Sequence, residues 1–421
     1  MHSFYYLDSI DQLSSINQNV INLDSRMREV PDLQGAEKLS GTAFAVKRDQ
    51  LHDWLQAVST DKILHDAQTA RHKGTCEWIF DRSPFQKWLR SKDEKPKILW
   101  IHGGPGFGKT ILSARLVQWL GRYLSFPVLH FFCAADDKRK REPYAILRSW
   151  LDQLIHYSEK ALKVIFAQQE LLSLREPTTV KLWQMFKAVA QNIPCVFLVD
   201  GFDECESVYD QSRRHVEGTR SQFLRSLVSE SRGTKAKILI VSRDLEDVRG
   251  TLTRTTSSSD TSLYEIAISS DDTKDDVLRC SAQWIDEKLS NKSRSLRTEL
   301  ATSAAVKSEG MFLWLDRVVE DLDPGENAKS LRATVKEMPS EINDTYRREL
   351  EKLRVLRTDQ RKRTTDVLRW ICFAVVPLTV KELAEALVVD VEEAGYEYPV
   401  DELPDSWEDR FVDETYINTF I

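Results

Sequence analysis

Near-continuous apolar runs recur through the middle of the chain at 98–102, 127–133, 195–200, 237–242 and 263–268. A strand with one wet face alternates apolar and polar residues, whereas one covered by helices on both faces does not. The stretch 145–156 carries Ile146, Leu147, Trp150, Leu151, Leu154 and Ile155, which follow the helical repeat. Strand and helix patterns therefore alternate from about 97 to 268. This predicts an α/β fold, a parallel sheet with helices on both faces. After 270 the strand pattern stops. Periodic segments at about 273–290, 296–307, 311–322, 340–357, 362–375 and 379–388 predict an all-helical extension. Residues 1 to about 60 read as weakly amphipathic helix, with apolar positions at Ile10, Leu13, Ile16, Val20, Ile21 and Leu23. The serine- and threonine-rich stretch 251–262 predicts a mobile loop.

At 421 residues the chain exceeds one ordinary core, so two or three domains are expected. A net charge of −7 gives no reason to expect nucleic acid as the main partner. The basic runs Lys138-Arg139-Lys140-Arg141 and Arg361-Lys362-Arg363 read as solvated faces. The six cysteines form no C-x-x-C pair, so neither a zinc site nor a disulfide framework is suggested. Cys133 and Cys195 read as buried thiols, which fits a reduced, cytoplasmic setting. No basic leader precedes an apolar core at Met1, and no apolar run approaches 18 residues. Neither a signal peptide nor a membrane segment is expected.

Gly103-Gly104-Pro105-Gly106-Phe107-Gly108-Lys109-Thr110 matches the phosphate-binding pattern G-x-x-x-x-G-K-[ST]. An apolar run, Ile98-Leu99-Trp100-Ile101, precedes it, and Ile111, Leu112, Leu116, Trp119 and Leu120 follow on one helical face. Strand, glycine loop and helix let successive N–H groups converge on phosphate oxygens at a helix N-terminus. Gly103 through Ile111 are thus the candidate nucleotide-binding residues. Lys109 would reach the β- and γ-phosphates, and the Thr110 hydroxyl would ligate Mg²⁺.

A second constellation follows Val196-Phe197-Leu198-Val199, namely Asp200-Gly201-Phe202-Asp203-Glu204. Asp200 would bring a carboxylate to the sheet edge beside the phosphate loop, as a second metal ligand with Thr110. Asp203 or Glu204 would orient or deprotonate an attacking water. A plain helix cap is the competing use of such acids. Arg243, after Ile240-Val241-Ser242, would sense a γ-phosphate from the same edge, or be an ordinary surface arginine. Thr273-Lys274-Asp275-Asp276 matches the guanine-reading pattern [NT]-K-x-D, yet it also reads as the acidic first turn of a helix.

The phosphate loop, the acidic cluster and Ser242-Arg243 together resemble the NACHT class of signal-transduction NTPases. Arg71-His72-Lys73-Gly74-Thr75-Cys76-Glu77-Trp78 and Phe85-x-x-Trp88 look like the lead-in of fungal members. Gly310-Met311-Phe312-Leu313-Trp314 looks like their helical-domain motif. Leu368 to Ala374, Pro377-Leu378-Thr379 and Glu382-Leu383 resemble the start of a winged-helix unit.

The resemblance implies an N-terminal helical region or linker (1–60), a lead-in segment (61–96), a P-loop NTPase core (97–270), a helical domain (271–360) and a partial winged-helix unit (361–421). It implies a signalling switch that binds ATP with Mg²⁺, hydrolyses it slowly, and couples nucleotide state to domain packing and oligomerisation. Fungal incompatibility or immunity-like signalling is the setting expected, with self-association or partner signalling proteins. Effector and repeat domains usual in the family are not visible, so a truncated form is one expectation. Two departures stand out. Phe312 takes the place of a base-contacting proline, and no histidine follows His215 to lock a β-phosphate. Alternatives are a GTP-preferring switch, a scaffold with negligible hydrolysis, and a small-molecule kinase.

Overall fold

The computed structural model of the chain describes residues 41–91, 97–166, 177–205, 219–256, 261–338, 350, 353–354, 357–374 and 378–387. The helix expected in the first forty residues, most of that at 340–357, Pro377 and the stretch beyond 387 lie outside the described residues. Residues 1–51 and 52–421 form separate units. The described part of the first is most of helix α1 (Gly41–Leu55).

The lead-in contains α2 (Asp61–Ala70), a 3-10 turn (Glu77–Asp81) and α3 (Ser83–Arg90). Then come β1 (Lys97–His102), α4 (Lys109–Tyr123), β2 (Val128–Phe132), α5 (Lys138–Arg141), α6 (Pro143–Tyr157), α7 (Glu159–Phe166) and α8 (Thr179–Asn192). The core continues through β3 (Cys195–Asp200), a 3-10 turn (Phe202–Glu204), α9 (Thr219–Glu230), β4 (Ala236–Ser242), α10 (Glu246–Thr256) and β5 (Ser262–Ala267). Each strand lies within a residue of its expected bounds. The helical extension comprises α11 (Ser270–Lys288), α12 (Arg294–Lys307), α13 (Phe312–Asp321) and α14 (Ala328–Glu337), followed by α15 (Thr358–Phe373) and α16 (Val380–Ala386).

The five strands lie in the order β2-β3-β4-β1-β5, with every pair parallel. All their carboxyl ends therefore share one edge. Pleating sorts the side chains between two faces. Leu99, Ile101, Val196, Leu198, Leu239 and Val241 pack with Phe85 and Trp88 of α3 and Leu112, Leu116 and Leu120 of α4. On the other face, Phe197 meets Trp150 of α6 and Phe186 of α8, with ring centroids 5.1 and 4.9 Å away. Double coverage explains why β1, β3 and β4 read as unbroken apolar runs. β5 departs from that expectation. It is an edge strand, and of its six residues only Ile266 is fully buried.

One expectation needs correction, and one helix was not expected. The mobile loop at 251–262 is helical up to Thr256, because Val248, Thr251 and Leu252 are buried on one face of α10. There the threonine hydroxyls bond back along the helix, with Thr255 and Thr256 Oγ1 donating to Leu252 O. Helix α14 went unpredicted because it buries only Leu331 and Val335.

The extension has its own apolar cluster, including Val277, Ile285, Leu300, Trp314, Leu315, Val318 and Leu331. Three of its helices begin at side-chain caps. Ser269 and Asp272 form a capping box on α11, Ser293 caps α12, and Asn327 caps α14. Gly310 has φ +86°, and a Cβ there would lie 2.4 Å from Thr273 Oγ1, so the turn into α13 requires glycine. A small separate cluster, Val367 with Leu383 and Ala384, joins α15 to α16. No helix among the described residues is long and apolar enough to cross a membrane.

Candidate functional site

β1 ends at His102, and the chain turns through the glycine loop into α4 at the carboxyl edge of the sheet. Gly106 and Gly108 have φ of +77° and +73°, which curls the backbone as the phosphate-loop pattern requires. A Cβ on Gly106 would also lie 2.6 Å from Leu313 Cβ. The Lys109 ammonium donates to Gly103 O at 3.0 Å and Gly104 O at 2.7 Å. Burial lowers its pKa, while Asp203 and Asp200 pull the other way.

Asp200 closes β3 beside the start of α4. Its Oδ2 accepts from Thr110 Oγ1 and its Oδ1 from Ser113 Oγ, both at 2.8 Å. Burial raises the Asp200 pKa to about 6, despite the two hydroxyls and Lys109. The two expected metal ligands are therefore in direct contact. They offer hard oxygen donors suited to Mg²⁺, and Thr110 is exposed where a nucleotide would approach. This carboxyl edge, with loop and lysine after β1 and the acid at the end of β3, one strand apart in a parallel sheet, is the P-loop NTPase fold.

The two acids that follow play different parts. Asp203 is tied to Arg243, whose backbone N–H donates to Oδ1 at 2.9 Å and whose Nε lies 3.2 Å from Oδ2. Its side chain is only 7% exposed, against 54% for Arg243. Glu204 Oε2 accepts from the Ala135 N–H at 2.8 Å. Burial raises the Glu204 pKa, while the Ala135 N–H lowers it. Of the expected nucleotide-binding residues, Gly104 and Pro105 are exposed, whereas Phe107, Gly108 and Ile111 line a neighbouring cavity.

That cavity has a volume of about 400 Å³. Its walls are Arg71, His72, Cys76 and Trp78 from the lead-in, Asp276, Cys280 and Trp284 from α11, and Phe312, Leu313 and Asp316 from α13. Phe312 N–H donates to Gly106 O at 2.8 Å, so the first turn of α13 is fastened to the back of the phosphate loop. The Phe312 ring is 3.4 Å from where a Gly108 Cβ would be. Asp276 Oδ2 accepts from the Cys76 N–H at 2.7 Å, and Arg279 Nη1 donates to Gly74 O at 3.0 Å. These bonds hold the lead-in against α11. The Thr273–Asp276 pattern lies in the capped first turns of α11, where Thr273 Oγ1 donates to Gly310 O. Lys274 is exposed and outside the cavity.

Several contributors escaped the sequence reading. Ser113 sits one turn after Thr110 and was legible only by helical spacing. Arg220 donates to Asp203 O at 2.5 Å and to Asp247 Oδ2, which braces the acidic turn from α9. Ala135 contributes only a backbone N–H, which no side-chain pattern reveals.

The family described as Nephrocystin 3, N-terminal, matches residues 74–243, which contain the loop, the acidic turn and Arg243. The chain is similar to the vegetative incompatibility protein HET-E-1 of Podospora anserina, with 23% identity over 306 residues. That match covers 69% of this chain but only 21% of the relative's length. Among solved structures, an E. coli HORMA:CdnC:Trip13 complex aligns with TM-score 0.34 and 13% identity, covering 74% of this chain and 93% of that one. A Drosophila ORC assembly bound to AT-rich DNA and Cdc6 aligns with TM-score 0.29 and 12% identity, over 85% and 57% of the two chains.

Proposed function

We propose that this NACHT-like chain binds ATP with Mg²⁺ and serves as a slow, conformationally coupled NTPase switch in incompatibility-type signalling. The observation that carries the reading is the Thr110–Asp200–Ser113 contact beside Lys109, because it joins the two motifs at one edge. In this reading the loop N–H groups and the α4 N-terminus cradle the phosphates. The Lys109 ammonium leaves the Gly103 and Gly104 carbonyls for phosphate oxygens. Thr110 and Asp200 would hold Mg²⁺, which would supply charge neutralisation at the phosphates. Glu204 takes the proton of the attacking water, and Asp203 holds Arg243 where its exposed guanidinium meets the γ-phosphate.

The base enters the aromatic cavity between the lead-in, α11 and Phe312. This gives the coupling a physical route, since α13 is hydrogen-bonded to the loop that holds phosphate. A change at the phosphates then biases packing of the helical domain (271–360) against the core (97–270), and with it self-association. Turnover is slow as long as no partner supplies an arginine to the γ-phosphate. A cytoplasmic setting fits a chain whose five buried cysteines are free thiols.

A second reading, GTP preference, is favoured by one observation. The Asp276 carboxylate lines the cavity, and guanine offers a carboxylate two adjacent donors where adenine offers one amino group. Titration with fluorescent ATP and GTP analogues, with and without Mg²⁺, tests both readings. Mg²⁺-dependent binding of the ATP analogue is the expected result. Binding of neither nucleotide would remove the switch assignment.

A further inference from the structure

Away from the nucleotide edge, His52 in the last turn of α1 meets Asp152 and His156, which lie one turn apart on α6. His52 Nδ1 is 2.7 Å from Asp152 Oδ1, and His156 Nδ1 is 3.6 Å from the same oxygen. One ligand atom from each residue falls within 4.8 Å of the other two. The imidazole rings stand perpendicular, with centroids 5.6 Å apart. Two ring nitrogens and a carboxylate oxygen thus converge on one point at the surface.

We propose that His52, Asp152 and His156 form a binding site for a divalent transition-metal ion of the zinc class, unrelated to the Mg²⁺ of the nucleotide site. Imidazole with a single carboxylate suits Zn²⁺, Co²⁺, Ni²⁺ or Cu²⁺ and is a poor match for Mg²⁺ or Ca²⁺, which prefer all-oxygen shells. Bonds of about 2.0 Å around a tetrahedral ion put ligand atoms about 3.3 Å apart. The 2.7 Å contact must open slightly and the 3.6 Å contact must close slightly. Both histidines are about half exposed, so small side-chain rotations achieve this without moving the backbone. Asp152 is the more buried anchor, at 17% exposure. His156 Nδ1 donates to the Asp152 carbonyl at 2.8 Å, so binding the ion through Nδ1 requires that bond to be given up and the ring to take its other tautomer, with the proton on Nε2. Water completes the shell on the open side.

The ion would cross-link the end of α1 to α6. One tie already runs alongside, from Ser149 Oγ to Val58 O at 2.7 Å. No zinc signature was legible because His52 lies 100 positions before Asp152, and no cysteine stands beside the Asp152–His156 pair. An ion that binds only the folded chain raises its unfolding temperature by mass action.

The test uses the full chain, stripped with EDTA and then held in saturating Mg²⁺ to fill oxygen-rich sites. Co²⁺ titration is followed by visible absorption, and Zn²⁺ titration by calorimetry and thermal unfolding. The expected result is one equivalent of Co²⁺ with tetrahedral d–d bands that Zn²⁺ displaces, unchanged in Lys109→Ala. His52→Ala and His156→Gln should each weaken it about tenfold or more while leaving nucleotide binding unaltered. Absence of the Co²⁺ bands, or equal affinity in both histidine variants, would overturn the site.

Discussion

The phosphate side of the site and the base side are built on opposite principles. On the phosphate side, Asp200 ends a strand of one parallel sheet, Asp203 lies in the turn after it, and Lys109 and Thr110 open the helix that follows the loop after β1. Hydrogen bonds of 2.7 to 3.0 Å fix the lysine and Asp200. On the base side, the cavity is assembled from the lead-in, α11 and α13, joined by contacts such as Cys76 N–H to Asp276. The first half is charged and closely hydrogen-bonded, whereas the second is largely apolar and is assembled from three segments. Binding strength should therefore live in the first half, while base choice and conformational coupling live in the second.

The largest effect should come from Lys109→Ala. Losing the only described lysine at the loop should weaken nucleotide binding by about a hundredfold or more, since a desolvated charge-assisted bond is lost. Unfolding temperature should barely move, because the ammonium is bonded only to loop carbonyls. Retained affinity in a fluorescence titration would break the contrast at its strong end.

Next, Glu204→Gln should keep affinity and lower hydrolysis by about a hundredfold, the usual contribution of a positioned base. Asp203→Asn should slow turnover too, but through the released Arg243, and it should also loosen the turn that Arg220 holds. Phosphate-release kinetics separate the two. Equal rates for wild type and Glu204→Gln would move the water-activating role to Asp203.

A smaller effect belongs to the base side. Asp276→Asn should change the ATP-to-GTP affinity ratio by about tenfold or less, as expected for one hydrogen-bonding group. It keeps an oxygen for the Cys76 N–H, so the lead-in stays docked. An unchanged ratio in competition titrations would take base reading away from this residue.

The same division explains what the sequence revealed. β1, β3 and β4 were legible within a residue because both their faces are covered, which leaves long apolar runs such as Cys195 to Val199. The phosphate-side residues were legible because their chemistry demands fixed spacing after a strand. The roles of Asp203 and Glu204 were not separable, since the difference lies in Arg243 and in a backbone N–H from Ala135. The cavity was invisible as such. Phe312 stood out as the replacement for a base-contacting proline and Trp78 as part of the lead-in motif, but nothing in the pattern joined them to Trp284, and only the fold brings the three together. The 251–262 loop was misjudged because serine and threonine composition outweighed three buried positions on α10.

The mildest prediction concerns pH and the folded chain without nucleotide. Burial lifts Asp200 from the usual 3.8 to about 6, so the folded state holds its proton over a range where the unfolded chain has released it. Stability must then fall as pH rises from about 4 to about 6 and level off above, the reverse of a salt-bridged carboxylate. Glu204 and Asp276 are shifted upward by burial as well and add to the same slope. The difference between wild type and Asp200→Asn isolates the part due to Asp200. The variant keeps an acceptor for one hydroxyl, and the other hydroxyl can rotate to accept from the amide. Its unfolding temperature should therefore be flatter across that window, by a few degrees at most. Parallel curves for the two proteins would mean that Asp200 titrates like an exposed acid. The contrast between a dry phosphate side and an adaptable base side would then lose its central carboxylate.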